Sequence, residues 1–219
     1  MGPTRAANHY TRPALWARCP RLRPVSTPSR RNRRLDRPRE RVLEAAWELV
    51  IERGLAELTL AELGRRVETS ASHLLYYFGS KDELLLDVLR WSESQLAVER
   101  AAVMASENSV SDKLEGLVNL YVPTGPADPR WLLWIEMWPR ALRVEGLARS
   151  QAALDHEWRP DFTALLDEAG VHEPELVMRR IVALLDGLSV AIMTGEDAID
   201  VSLVWRHVAA LVPELAPTH

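Results

Sequence analysis

Hydrophobic residues recur every three or four positions from Pro38 almost to the end of the chain. Val42, Ala46 and Leu49 lie on the first such stripe, and Gly54 ends it. This spacing is typical of helices that bury one face, and no window alternates as a half-buried strand does. We therefore predict an all-α fold with about nine helices.

Helix start and stop signals divide this pattern. A Ser, Thr, Asp or Pro before an apolar run favours a helix start, and a Gly or Pro after it favours a helix end. On these signals we predict helices from Pro38, from the Thr59 cap to Arg66, from the Ser70 cap to Tyr76, from the Ser80 cap to about Met104, from the Ser111 cap to about Tyr121, from Pro129, from about Glu145 to Glu168 with a bend at Pro160, from Pro174 to about Thr194, and from the Asp200 cap to about Leu211.

Charge is distributed unevenly along the chain. Residues 1–38 contain ten Arg and one acid, a net charge of +9, whereas the rest carries 17 basic and 30 acidic residues, a net charge of −13. Residues 1–37 lack periodicity and are rich in Pro, Arg and Ser, so we predict a disordered arm. Arg33, Arg34 and Arg37 lie close enough to the first helix to enter a neighbouring DNA minor groove. A solvated tail, or an upstream start codon that is not used, would explain the same composition.

Several classes of protein are disfavoured. The single cysteine, Cys19, allows no internal disulfide, there is no apolar run of membrane-spanning length, and the N-terminus lacks the apolar core of a secretory signal. We therefore expect a cytoplasmic protein. The six His are scattered, His156-Glu157 lacks the second His of a zinc helix, and no Gly-rich phosphate loop occurs, so we predict no metal, no cofactor and no enzymatic activity.

The two short helices near residues 59–66 and 70–76 have the spacing of a helix-turn-helix. The first packs through Leu60 and Leu63, and the second through Leu74, with Leu75 as a further candidate. Small and hydrogen-bonding side chains at the start of the second helix suit base edges in the major groove. These candidates are Ser70, Ala71, Ser72 and His73, with Thr59 at the start of the first helix.

The segment after this helix adds candidate backbone contacts. The hydroxyls of Tyr76 and Tyr77 are predicted to reach phosphates, whereas Phe78 turns inward. Lys81 begins the next helix, where its ammonium and the free N–H groups form an anion site for a DNA phosphate. A simple helix cap with a solvated polar face is the alternative.

The stretch from Arg39 to Leu89, "RERVLEAAWELVIERGLAELTLAELGRRVETSASHLLYYFGSKDELLLDVL", resembles the tetracycline-repressor (TetR) family of bacterial transcriptional regulators. The matching positions are Gly54, Thr59, Ser70, Leu74, Phe78, Ser80, Lys81 and Leu84. Three residues depart from the family pattern. Glu68 replaces a turn Gly and costs roughly 1 kcal/mol if φ is positive there. Thr69 replaces a common Val, and Leu75 replaces a DNA-touching Tyr.

The resemblance implies a DNA-binding domain at 38–84 and a ligand-binding and dimerisation domain at 85–219. Aromatic residues at helical spacing in the second domain predict a pocket for a small apolar or cationic ligand. The candidates are Trp131, Trp134, Met137, Trp138, Trp158 and Phe162; a plain hydrophobic core is the alternative. Trp134 and Trp138 are expected to stack, and Glu136 to pair with Arg140 at the surface.

The last two predicted helices are apolar on more than one face, which favours a two-fold four-helix bundle with a second copy of the chain. The predicted interface residues are Leu184, Leu188, Ile192, Val204, Val208 and Leu211. The short stretch "LLDGL" resembles the C-terminal domain of the choline-responsive, BetI-type branch.

Together these features predict a homodimeric, ligand-responsive regulator that binds double-stranded DNA. We expect a repressor that a small effector releases from a near-palindromic operator. Two alternatives remain at this point. One is an all-α small-molecule binder or enzyme whose DNA-facing helix has decayed, which Glu68 and Leu75 favour. The other is non-specific DNA packaging by the Arg-rich arm.

Overall fold

The computed structural model describes residues 38–195 and 199–215, and within these ranges every regular element is a helix. The predicted arm at 1–37, with Arg33, Arg34 and Arg37, lies outside the described residues and remains a prediction. The all-α prediction is confirmed. The α-helices are α1 (Pro38–Arg53), α2 (Leu60–Arg66), α3 (Ala71–Phe78), α4 (Lys81–Met104), α5 (Val110–Tyr121), α6 (Pro129–Ala141), α7 (Glu145–His156), α8 (Arg159–Glu168), α9 (Pro174–Met193) and α10 (Val201–Ala209), with 3-10 turns at Leu55–Glu57 and Pro213–Leu215.

Side-chain caps fix most helix starts where the sequence predicts them. The hydroxyls of Thr59, Ser70 and Ser80 accept hydrogen bonds from backbone N–H groups three residues later, at 3.0–3.1 Å. Asp200 caps α10 in the same way, through the N–H of Leu203 at 2.9 Å. Each cap satisfies an N–H that the helix itself leaves unpaired.

Two predicted boundaries are corrected. The cap of α5 is Ser109 rather than Ser111, because Ser109 accepts from the Asp112 N–H and its hydroxyl also donates to the Asp112 carboxylate at 2.7 Å. The helix predicted over residues 145–168 is two helices, α7 and α8. Pro160 lies in the first turn of α8, where proline replaces an N–H that has no partner in the helix, so it starts a helix instead of bending one.

The first three helices pack around a small apolar core. Leu63 of α2 and Leu74 of α3 are buried where these two helices pack together, and Phe78 is buried as predicted. Leu75 is 41 % exposed, so it does not share this packing role. At the surface, the Arg66 guanidinium binds the carboxylates of Glu48 and Glu52 at 2.7–3.0 Å, which ties α2 to α1.

Helix α4 packs against both the N-terminal helices and several of the later ones. It contacts α1 and α3 as well as α5, α6 and α7. At the α1 contact, the Arg39 guanidinium pairs with buried Asp87 and lies 5.3 Å from the centre of the Phe78 ring. The predicted domain boundary at residue 84 falls inside this continuous helix, so the division into 38–84 and 85–219 remains a prediction.

None of the helices in the described ranges combines the length and apolar character that a bilayer crossing requires.

Candidate nucleic-acid interface and ligand cavity

The N-terminal half of α3 lies at the protein surface. Ser70, Ser72 and His73 are exposed and Ala71 is half-buried, while Leu74 on the opposite side is only 2 % exposed. The helix therefore presents short polar side chains outward and holds itself by one buried face. This is the geometry that a helix needs to enter a major groove.

The end of α3 presents aromatic hydroxyls. Tyr76 is 87 % exposed and Tyr77 is 45 % exposed, so both phenols face solvent. The Tyr76 ring stacks on His73, with 6.5 Å between centroids, and the Tyr77 ring meets buried Phe78 edge-on at 5.2 Å. Both rings are thereby oriented by their neighbours, while their hydroxyls remain available to phosphate.

Lys81 is exposed at the first position of α4. The next residue, Asp82, is turned toward Arg140 of α6, whose guanidinium lies 2.7 Å from the carboxylate. Lys81 thus stands beside a helix N-terminus, which attracts anions through its unpaired N–H groups. Thr59 is exposed at the cap of α2.

The turn between α2 and α3 contains the residue that departs from the family pattern. Glu68 has a φ of 58°, in the left-handed region that favours glycine. The conformation that the resemblance implies is therefore kept, at the cost of strain in a side-chain-bearing residue.

Four of the six predicted pocket residues line one cavity of about 440 Å³. They are Trp131, Trp134, Trp138 and Trp158. Met137 and Phe162 are fully buried behind this wall, and the Phe162 ring packs on Trp158 and Tyr121 with centroids 6.4 and 6.2 Å apart. The expected pairing of Trp134 with Trp138 is replaced by an edge-on contact between Trp131 and Trp138, at 6.2 Å.

Polar groups that the sequence did not reveal complete the cavity wall. They are Tyr121, Arg130, Gln151, Asp155 and Asp186. The Tyr121 hydroxyl donates to the Asp186 carboxylate at 2.7 Å, across a separation of 65 residues. The sequence offered one signal for this polar wall, Asp186, because it is an acid inside an otherwise apolar helix. The other polar residues lie near Asp186 only in the folded chain.

Burial perturbs both members of this hydrogen-bonded pair. Burial raises the pKa of Asp186, the nearby Asp155 carboxylate raises it further, and the Tyr121 hydrogen bond and Arg159 oppose the change. Burial and the Asp186 charge raise the pKa of Tyr121 above its ordinary range, so the phenol stays neutral and donates. The cavity therefore combines indole faces with the carboxylates of Asp155 and Asp186 and the guanidinium of Arg130. Arg130 pairs with Glu93 at 3.3 Å and Asp155 pairs with Arg159 at 3.0 Å, so the negative charge offered to a small cation is mainly that of Asp186. Within the described residues, no group of three or more potential ligands is placed to hold a metal ion.

The six residues predicted to form the dimer interface fall into a buried group and a half-buried group. Ile192, Val204 and Val208 are 6 % exposed or less, because α9 and α10 pack against each other and α10 packs against α5. These three fill the core of the chain rather than a surface that a second copy would cover. Leu184, Leu188 and Leu211 are half-buried. The outer side of α9 instead presents Leu176, Ala183, Gly187 and Val190.

An exposed helix-turn-helix joined by one long helix to an aromatic cavity defines a ligand-linked DNA-binding protein. Two family models match the chain: "Bacterial regulatory proteins, tetR family" over residues 42–88, and "BetI-type transcriptional repressor, C-terminal" over residues 110–217. The chain belongs to the TetR family of DNA-binding transcriptional regulators.

Individual relatives agree with this assignment. The HTH-type transcriptional regulator BetI of Stenotrophomonas maltophilia (strain R551-3) is 26 % identical over 154 residues, which cover 68 % of this chain and 78 % of the relative. Among solved structures, a transcriptional regulator from Saccharomonospora viridis in complex with choline has a TM-score of 0.67 at 23 % identity, covering 79 % of this chain and 94 % of its own. A transcriptional regulator from Rhodococcus sp. Rha1 has the same TM-score at 20 % identity, covering 80 % and 94 %. These two structures share the fold.

Proposed function

We propose that the protein is a homodimeric repressor whose two α3 helices bind adjacent major grooves of a near-palindromic operator. We place it in the cytoplasm, where the bacterial DNA is. Its activity is DNA binding controlled by a small effector, and not catalysis. The observation that carries the proposal is the exposed polar N-terminal face of α3, backed by buried Leu74 and Phe78.

DNA binding is tested by gel shift or fluorescence titration on the DNA upstream of the protein's own gene. Lys81→Ala and Tyr77→Ala each remove one phosphate contact, so we expect affinity to fall about five- to tenfold for each and the salt dependence to become shallower for Lys81→Ala. Lys113→Ala on α5 is the matched control and should bind as the wild type does. Absence of specific binding by the wild type at moderate salt would favour the alternative of a small-molecule binder with a decayed DNA-facing helix.

We further propose that the effector is a small organic cation. The tryptophans supply indole faces, and the Asp186 carboxylate supplies negative charge, while Asp155 in the same wall is paired with Arg159 at 3.0 Å. A cation over an indole face gains roughly 0.5–2 kcal/mol, depending on desolvation. The choline in the Saccharomonospora viridis complex is such a cation, and choline is the first probe to use here.

Effector binding is tested by titrating choline and its uncharged carbon analogue, 3,3-dimethylbutan-1-ol, while following tryptophan fluorescence. The two molecules have nearly the same shape, so a cation site must prefer choline. Equal affinity for both would show that the cavity selects shape and not charge.

The pH dependence of choline binding follows from Asp186. Because the pKa of this carboxyl is raised, it takes up a proton at a higher pH than an ordinary Asp as pH falls. Choline affinity should therefore weaken as pH falls from neutrality toward that pKa. In Asp186→Asn the affinity should be low and nearly independent of pH in this range, while stability at neutral pH is kept or improved, because a buried charge has been removed.

A further inference from the structure

We propose that Glu93 is a positioning residue for the effector cavity. Its buried carboxylate fixes two of the four indole walls and so sets the affinity for the effector. The inference rests on the proposed effector role of the cavity. Glu93 does not line the cavity itself, so it acts through the tryptophans.

Both carboxylate oxygens of Glu93 are engaged by groups of the cavity wall. Oε1 accepts from the Trp134 indole N–H at 2.8 Å and from the Arg130 guanidinium at 3.3 Å. Oε2 accepts from the Trp158 indole N–H at 3.2 Å. The Glu93 residue is only 4 % exposed. A single carboxylate thus joins α4 to side chains from α6 and from the α7–α8 junction.

These bonds restrict the orientation of the two rings. A buried indole N–H without an acceptor is costly, and so is a buried carboxylate without donors. If Trp134 or Trp158 rotated, both costs would arise together. The ring faces that Trp134 and Trp158 present to the cavity are therefore set by the direction of their N–H groups toward Glu93.

The neighbouring Trp131 provides an internal comparison. Its indole N–H donates to the backbone carbonyl of Tyr121 at 3.0 Å, not to Glu93. Arg130 is likewise held independently, since it donates to the carbonyls of Leu120 and Tyr121. Loss of the Glu93 charge should therefore release Trp134 and Trp158 and leave Trp131 in place.

The location of Glu93 on α4 extends this role beyond the cavity. Thirteen residues of helix, about 20 Å, separate it from the Ser80 cap beside α3. An effector that displaces the Trp134 or Trp158 ring would shift a side chain in the middle of the helix that carries Lys81 at its N-terminus. Glu93 is thus both the support of the indole wall and its attachment to α4.

The positioning role is tested first without any ligand, in Glu93→Gln. An amide oxygen accepts from one indole, but its NH₂ group opposes the other N–H. In spectra of ¹⁵N-tryptophan-labelled protein, we expect the indole resonances of Trp134 and Trp158 to shift and to exchange faster with water. The Trp131 resonance should stay unchanged. Assignments come from Trp134→Phe, Trp158→Phe and Trp131→Phe.

The functional arm is a titration with choline and tetramethylammonium. We expect Glu93→Gln to weaken cation binding about tenfold. The double variant Glu93→Gln/Trp134→Phe should lose less binding free energy than the sum of the two single variants, because both substitutions remove the same hydrogen bond between Glu93 and Trp134. If Glu93→Gln does not fold, Trp134→Phe and Trp158→Phe carry the test, since each removes one N–H and keeps an aromatic face.

The outcomes separate the two proposals. Wild-type protein that binds neither cation contradicts the cation effector, and the indole spectra still decide whether Glu93 orients the rings. Unchanged Trp134 and Trp158 resonances in folded Glu93→Gln overturn the positioning role. Shifted resonances with unchanged cation affinity overturn it as well, because the orientation would then not matter for binding.

Discussion

At the residue scale, Glu68 shows how a departure from a family pattern is accommodated. Its φ of 58° places a side-chain-bearing residue where glycine is favoured, and left-handed backbone costs such a residue roughly 1–2 kcal/mol. The fold accepts this cost because the turn between α2 and α3 is held from both sides by capped helices. Glu68 is therefore a strained residue in the positive-φ turn that the family resemblance implies, and not a sign of a different turn.

Glu68→Gly should stabilise the protein. Removing the strain stabilises the folded protein by roughly 1 kcal/mol. The larger entropy of glycine in the unfolded chain offsets part of this gain. For a chain of this size, 1 kcal/mol corresponds to about 2–4 °C, so the net gain after the entropy cost should raise the Tm by about 1–2 °C. Thermal denaturation followed by circular dichroism measures it. The matched control is Glu57→Gly, at an exposed position without positive φ, which should not raise the Tm. A lower Tm for Glu68→Gly would show that the Glu68 side chain stabilises the turn.

At the element scale, helix α6 links the cavity to the N-terminal end of α4, which carries Lys81. Trp131, Trp134 and Trp138 on this helix line the cavity. Near its end, the Arg140 guanidinium pairs with Glu136, as predicted, and also with Asp82 of α4, which the sequence did not indicate. The pair with Asp82 lies one residue from Lys81, so we expect a shift of α6 to reach the end of α4 that we propose binds phosphate.

Arg140→Gln should weaken the coupling between effector and DNA more than it weakens either binding event. A part-exposed ion pair contributes little to stability, so choline affinity without DNA and DNA affinity without choline should each stay within about twofold. The ratio of choline dissociation constants with and without operator DNA should move toward one. Arg53→Gln, which removes a comparable pair with Glu62 between α1 and α2, is the control. An unchanged ratio in Arg140→Gln would exclude this contact from the coupling path.

The elements were predictable to different degrees for physical reasons. Helix starts at Thr59, Ser70 and Ser80 follow from local chemistry, since each hydroxyl bonds an N–H only three residues away. The end of α7 was missed because no Gly or Pro precedes Trp158, and the chain breaks there so that its ring packs between Tyr121 and Phe162. The Glu93 and Asp186 contacts depend on helices that meet only in the folded chain, and a single sequence holds no local signal for such pairs.

At the scale of the whole molecule, two-fold pairing requires an outward apolar surface. The outer side of α9 offers a partly apolar one: Leu176, Ala183, Gly187 and Val190 are exposed there, together with Arg180 near its start. A side chain added at Gly187 would meet nothing within 4 Å in the single chain. Glycine there has no packing role in the chain itself, whereas close approach of a second helix would use the missing side chain.

Gly187→Arg should therefore give a folded monomer. The helix loses nothing from the substitution, since glycine is the weaker helix former, but a charged side chain would separate two paired helices. Gel filtration with light scattering measures the mass, and operator titration should show at least a tenfold loss of affinity because the two half-sites are no longer bound together. Ala101→Arg, on the exposed side of α4, is the control. A dimeric Gly187→Arg protein would place the interface elsewhere.

The starts of α2, α3 and α4, which we propose to face DNA, are each stabilised by a capping hydroxyl. Thr59, Ser70 and Ser80 already accept bonds from their own helices, so the ends of α2, α3 and α4 are ordered before any duplex arrives. Little conformational freedom remains to be lost on docking, and melting these helices would be an expensive way to release the operator. We therefore expect the effector to change the spacing between the two α3 helices of the proposed dimer without unfolding them. Calorimetry of DNA release should then show a small heat-capacity change instead of the large one that accompanies unfolding.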